Sequence, residues 1–273
     1  MASKKIATYV FLDIQTTNYP ETVHGEVRIT ELCMIAVKRA HVEGYENQPP
    51  IQNKIKMYFN PEKKVDTKIS RMNGLTQAFL KHEAEFNKDV FNLMNSFINC
   101  LKKPVCLIAH NALKFHFPVL KFHFRRMNVE FPNDLMCTDS IYCLFDILEP
   151  EFYEGPREIT EENYDDESED SDSPEGIDRK NELADMERRT KKAKIGPSRY
   201  DHLKRPIFYT LGPRNSYKLH DIYERVIKYE KEDMEAEAIC EKLMKIATAK
   251  SDDFAAWVDR NHCKFNEVPE MIM

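Results

Sequence analysis

Apolar residues in this chain fall into short blocks whose spacing alternates between strand-like and helix-like. Thr8–Ile14 (TYVFLDI) is β-branched and aromatic throughout and reaches Asp13 near its end, which predicts a buried first strand. Ile29–Lys38 (ITELCMIAVK) predicts a second, entered from a polar loop over residues 16–28. Lys54–Phe59 (KIKMYF) alternates charged and apolar positions, as a half-exposed edge strand does, and Asn60-Pro61 ends it. Phe86, Val90, Leu93, Phe97 and Leu101 then recur at helical spacing, with Pro104 just beyond. Val105–Ala109 is a fourth apolar run. It breaks at His110-Asn111 and resumes as an aromatic segment around Phe115-His116-Phe117-Pro118, followed by a helix over Phe122–Met127 with Lys121, Arg125 and Arg126 on its polar side. Leu135–Thr138 predicts a short fifth strand, and Asp139–Leu148, Ser216–Ile227, Asp233–Ala249 and Asp252–Arg260 predict helices. The pattern is that of one α/β domain around a mixed five-stranded sheet flanked by helices. A buried strand that ends in polar residues and feeds a helix is where open α/β sheets place their sites, so Val105–Leu120 is the stretch in which to look for chemistry.

Residues 151–205 break the pattern. Residues 157–175 hold ten Asp/Glu against one Arg, a local charge of −9, and 182–194 then turn basic. Low hydrophobicity and block charge predict a disordered insertion, leaving residues 1–150 and 206–273 as the two parts of one folded domain. The formal net charge of −6 therefore conceals a remainder at +3, a weak basic footprint for a dedicated nucleic-acid binder. Within the insertion, Arg179-Lys180 followed by Arg188, Arg189, Lys191, Lys192 and Lys194 has the form of a two-part nuclear-import signal. Ser168, Ser171 and Ser173 stand in the acidic context of phosphorylation sites. The seven cysteines include no CxxC pair, which suits reduced thiols inside the cell. No signal peptide and no run of about 18 apolar residues is present, so neither secretion nor membrane insertion is expected.

Several segments then read together. FLDIQTT (11–17), SRMNGLT (70–76), LIAHNALKFHFPVL (107–120), CTDSI (137–141), GPRNSYKLHDIY (212–223), MEAEAI (234–239) and AAWVDRNHCKF (255–265) resemble, in order and spacing, the motifs of the three-prime repair exonuclease (TREX) branch of the DEDDh 3′-to-5′ exonucleases. The resemblance implies a ribonuclease H-like fold. It also implies a site in which four carboxylates hold two Mg²⁺ ions and a histidine acts as general base on the attacking water. It further implies dimerisation through an edge strand, hence a homodimer. The chain stops at Met273, soon after its last helix, which is similar to the untailed, soluble members.

Position by position, the chemistry is mostly gone. Asp13 is the first motif's aspartate, but its paired glutamate is Gln15. The second motif's aspartate is His116, the third motif's histidine is Met234, and its final aspartate is Ile239. Magnesium requires hard oxygen donors, and one retained carboxylate is a poor site for it. The expectation is a protein without functional catalytic residues, metal or other cofactor: a pseudonuclease that binds single-stranded DNA or a 3′ end, or that scaffolds a protein partner, in the nucleus, with the cytoplasm as a second compartment. The alternative is residual or metal-shifted exonuclease activity, with Mg²⁺ as cofactor. His116, flanked by Phe115 and Phe117, is expected as a packed, hydrogen-bonded residue rather than a metal ligand. Met234 and Ile239, with Ala236 and Leu243, are expected to fill the former pocket by packing. Leu75 and Thr76, by the resemblance, and Lys114, Arg125 and Arg126, by charge, are the weak candidates for nucleic-acid contact.

Overall fold

The structure, a computed structural model, describes residues 5–18, 27–45, 48–149, 215–228 and 233–270. The described residues belong to one compact unit drawn from 1–149 and 207–273. The predicted insertion over 151–205, with its import signal and serines, lies outside them. Among the described residues, no helix is long and apolar enough to cross a membrane.

Strands β1 (Thr8–Thr16), β2 (Ile29–Lys38), β3 (Asn53–Tyr58), β4 (Val105–Ala109), β5 (Met136–Asp139) and β6 (Cys263–Lys264) form one sheet in the order β3-β2-β1-β4-β5-β6. β1, β2 and β3 are antiparallel neighbours, β4 and β5 run parallel to β1, and β6 returns antiparallel to β5. The sheet is mixed and ribonuclease H-like, as expected, but it has six strands rather than five. β6 is two residues long, and a pair so short carries no periodicity by which a sequence could disclose it. β3 is the edge strand, as its alternation predicts.

The helices are α1 (Arg39–Glu43), α2 (Thr67–Asn73), α3 (Gln77–Leu80), α4 (Lys88–Asn99), α5 (Phe117–Arg126), α6 (Ser140–Leu148), α7 (Leu219–Val226), α8 (Ala236–Ala249) and α9 (Ser251–Asn261). The first three are absent from the sequence expectation because each is under two or so turns long. Local caps fix two of them: the Asp66 carboxylate accepts from the Lys68 N–H, and the Thr76 hydroxyl accepts from the Phe79 N–H. Gly74, at φ +74°, ends α2 in the left-handed region that an L side chain resists.

The odd-numbered side of β1 carries Tyr9, Phe11, Asp13 and Gln15. Tyr9 and Phe11 meet Phe254 of α9, at 5.8 and 6.4 Å between ring centroids. Further along, the Ala236 N–H of α8 donates to Glu31 of β2. Elsewhere α4 and α5 join through Phe91, Phe124 and Phe131, whose rings lie about 5 Å apart. The buried stripe of α4 is Val90, Phe91, Met94 and Ile98. Of the predicted positions, Leu93 is 43% exposed and Phe97 only half-buried. The sequence offers two overlapping stripes, and Phe124 of α5 with Phe131 beyond it selects the one containing Phe91. Lys54 and Lys56 of β3 pair with the carboxylates of Glu235, Glu237 and Glu241 at the start of α8. These lysines tie the edge strand to α8.

Candidate nucleic-acid cleft

Asp13 and Gln15 lie at the carboxyl end of β1, two residues apart and so on one side of the strand. His116 comes from the adjacent β4. After Ala109 the chain turns at Asn111, whose φ of +62° is left-handed, and winds through one π-helical turn, Ala112–His116, before α5 begins at Phe117 with Pro118 in its first turn. Asp139, at the end of β5, holds that turn in place. Its oxygens accept from the backbone N–H groups of Asn111, Leu113 and Ile141 at 3.0 to 3.1 Å. Burial raises Asp139 to about 6, against the three backbone donors, which favour the anion. His110 spans the same junction: Nε2 donates to the Tyr217 carbonyl at 2.8 Å, leaving Nδ1 to accept from the Ser140 hydroxyl at 2.9 Å. Burial lowers its pKa to about 4, so it is a neutral strut.

The centre is a chain of hydrogen bonds. Gln15 Nε2 donates to Asp13 Oδ2 at 2.7 Å, and Gln15 Oε1 accepts from Asn73 of α2 at 3.3 Å. On the other side, the Ile14 N–H points at His116 Nδ1 (3.4 Å), so the ring proton sits on Nε2, which faces Asp13 Oδ1 at 3.4 Å. Burial holds His116 at about 3, neutral, and pushes Asp13 well above the usual carboxylate range, while the Gln15 amide opposes that rise. The 3.4 Å approach of His116 to Asp13 is therefore that of a neutral ring, not an ion pair. Both oxygens of Asp13 face N–H groups.

This donor set does not fit a divalent ion. A magnesium ligand must present oxygen lone pairs, and here one oxygen of Asp13 accepts from the Gln15 amide while the other lies 3.4 Å from the His116 ring nitrogen. Met234 and Ile239, on the opposite wall, add no oxygen donor. Among the described residues, no group of three or more His, Cys, Asp or Glu side chains is disposed to hold a metal ion.

The pocket itself persists. A cleft of about 680 Å³ opens over Asp13, Gln15 and His116, with Met72 of α2, Phe115, Tyr142 and Tyr217 among its apolar walls. The expectation that packing fills it is corrected here. Ala236 and Leu243 are buried, but Met234 and Ile239 are half-buried and line the open cleft. Met234 lies before α8 begins, and Ile239 sits at the edge of the face that Ala236, Cys240 and Leu243 bury.

Of the five weak contact candidates, Lys114 lines the cleft. Leu75 packs on the small cluster of Val65, Ile69 and Leu80, and Thr76 caps α3. Arg125 pairs with Glu270 at 3.0 Å, and Arg126 lies over the Phe122 ring. Phe117 is core, whereas Phe115 reaches the cleft. Sequence reasoning missed Glu31, Asn73, Lys218 and Lys242. For Glu31 and Lys242 a signal existed: each is a charge inside an apolar run, and each is buried, Lys242 at 5% exposure in the cleft wall.

The fold and the placement of this centre define an exonuclease-type domain. The sequence model of the exonuclease family (RNase_T) matches residues 10–164, more than half of the chain, and the chain belongs to that family. Within it, the chain is similar to the three-prime repair exonucleases. It is 30% identical over 146 residues to three prime repair exonuclease 2 of Mus musculus, covering 50% of this chain and 61% of the mouse protein. It is 30% identical over 158 residues to three-prime repair exonuclease 1 of Bos taurus, covering 53% of this chain and 49% of the bovine protein. The matched region thus spans about half to three-fifths of these relatives. Among solved structures, the nuclease domain of 3′hExo, a DEDDh family member bound to rAMP, superposes with a TM-score of 0.54 at 10% identity, over 92% of this chain and 95% of that one. A zinc-bound E. coli ExoI–ssDNA complex gives 0.54 at 13% identity, over 92% of this chain and 42% of that one. At such identities the likeness is one of fold.

Proposed function

We propose that this protein is a pseudonuclease: an exonuclease fold that no longer hydrolyses phosphodiesters and serves as a binding module for a nucleic-acid end. The observation that carries this reading is the occupancy of Asp13. Its two oxygens face the N–H groups of Gln15 and His116, in the place where a two-metal mechanism needs oxygen ligands around a cation. Met234 also supplies no nitrogen or oxygen to take a proton from water, and loss of a general base alone costs on the order of 10²–10⁴ in rate. The open cleft supports retained binding over a purely structural role. The solved neighbours bound to rAMP and to single-stranded DNA support nucleic acid as the class of ligand.

The test is incubation of the purified full chain with end-labelled single-stranded DNA in Mg²⁺ or Mn²⁺. No shortening is expected. Metal-dependent shortening abolished by Asp13→Ala overturns the reading. Restoring Gln15→Glu, His116→Asp, Met234→His and Ile239→Asp together is expected to return measurable activity, because the strands and turns that aim these positions are intact. We further expect a homodimer, read by light scattering. Nuclear residence is also expected, read by imaging a tagged chain against one with Arg188, Arg189, Lys191, Lys192 and Lys194 replaced by alanine.

A further inference from the structure

The cleft wall formed by α8 carries a cation. Ile239 and Lys242 stand three positions apart on that helix, hence on one side of it, and both line the cleft. Lys242 is 5% exposed, and its ammonium reaches the Asp233 carbonyl oxygen, also on the cleft wall, at 3.4 Å. Lys114 and Lys218 line the same space from exposed positions. Among the described residues lining the cleft, the acidic ones are Asp233, which is exposed, together with Asp139 and Asp13, each within reach of N–H groups of the protein. A cation set into the wall of such a cleft repels a divalent metal and attracts an anion, and low solvent access makes both effects stronger than at a surface.

Resting on the reading of this centre as metal-free, we propose that the cleft binds a phosphate group directly, with the Lys242 ammonium as its principal cation. Lys114 and Lys218 add longer-range attraction at the rim. The ligand class is a phosphodiester or phosphate monoester held without Mg²⁺. Its flat or apolar remainder lies against Phe115 and Tyr142, which already form part of the wall.

The experiment measures binding of a fluorescent single-stranded oligodeoxynucleotide to the full chain in EDTA, with inorganic phosphate as competitor. Two variants are compared: Lys242→Met, which keeps the aliphatic stem, and Lys242→Arg, which keeps the charge. The expected result is metal-free binding that millimolar phosphate displaces. Lys242→Met is expected to weaken binding about tenfold and to reduce the salt dependence by about one released ion, with Lys242→Arg close to the parent. Melting temperatures of both variants are measured beside the parent, and affinities are compared at a temperature at which all three are fully folded. That separates a ligand-binding lysine from a structural one. The proposal is overturned by unchanged affinity in Lys242→Met, by binding that requires Mg²⁺, by absence of phosphate competition, or by no binding of either probe. Shortening of the oligonucleotide in Mg²⁺ sinks the pseudonuclease reading instead, so the two failures are distinguishable.

Discussion

At the scale of single residues, the centre is a set of side chains that satisfy one another. Gln15 places its amide N–H₂ on Asp13 and its carbonyl on Asn73, so both of its ends are used. Gln15→Leu keeps the volume and leaves the buried Asp13 with one fewer donor. The expected destabilisation is about 1–3 kcal/mol, measured by chemical denaturation, and Asp13→Asn in the same background should recover part of it by removing the charge. A second prediction concerns pH. His123 is buried, donates from Nε2 to the Val27 carbonyl at 3.1 Å, and is held at about 4, chiefly by burial. Its folded pKa lies below the unfolded value near 6.5, so below pH 6.5 the unfolded chain binds the extra proton. The stability this group contributes is full above pH 6.5 and is lost as pH falls toward 4. His123→Gln should therefore shrink the stability difference between pH 7 and pH 5 by about 2 kcal/mol. Asp139, raised to about 6, acts in the opposite direction over an overlapping range, so the comparison must be made between variant and parent at each pH. An unchanged difference between pH 7 and pH 5 rejects a neutral buried ring at 123.

At the scale of elements, α4 shows where sequence reading stops. Phe86, Val90, Leu93, Phe97 and Leu101 form one stripe, while Val90, Phe91, Met94 and Ile98 form another. Both are apolar, and only the aromatic partners Phe124 and Phe131 decide between them. Met94→Ala is expected to cost about 2–5 kcal/mol and Leu93→Ala well under 1, read from urea midpoints at constant m. Equal costs would return α4 to the stripe predicted from periodicity. The long strands were legible because buried strands read as continuous β-branched runs; Ile29–Lys38 is identical in sequence and structure. The positions of the site were legible too, since Asp13 and His116 sit in motifs whose neighbours carry the same register. The hydrogen bonds between them were not. Asn73 lies 58 residues from Gln15, and no local pattern encodes that approach. The survival of the cleft was equally hidden. It depends on which side of α8 meets the sheet, and four apolar residues at positions 234, 236, 239 and 243 fit more than one answer.

At the scale of the whole molecule, charge separates two contributions to ligand binding. The chain carries a formal −6, of which −9 belongs to residues 157–175, so excising that segment leaves +3. Net charge acts at long range on the rate of encounter, whereas a cation in the cleft wall acts at contact on the rate of escape. The excised chain is thus expected to associate with single-stranded DNA about tenfold faster at low ionic strength. That advantage should fade at about 0.5–1 M salt, where the screening length falls to a few ångströms. Its dissociation rate should match the parent's. Lys242→Met should show the converse, with a faster dissociation and a nearly unchanged association rate. Stopped-flow anisotropy across a salt series reads both rates. If excision slows dissociation while leaving association unchanged, the acidic run repels the bound ligand at contact, and long-range net charge is not its route of action.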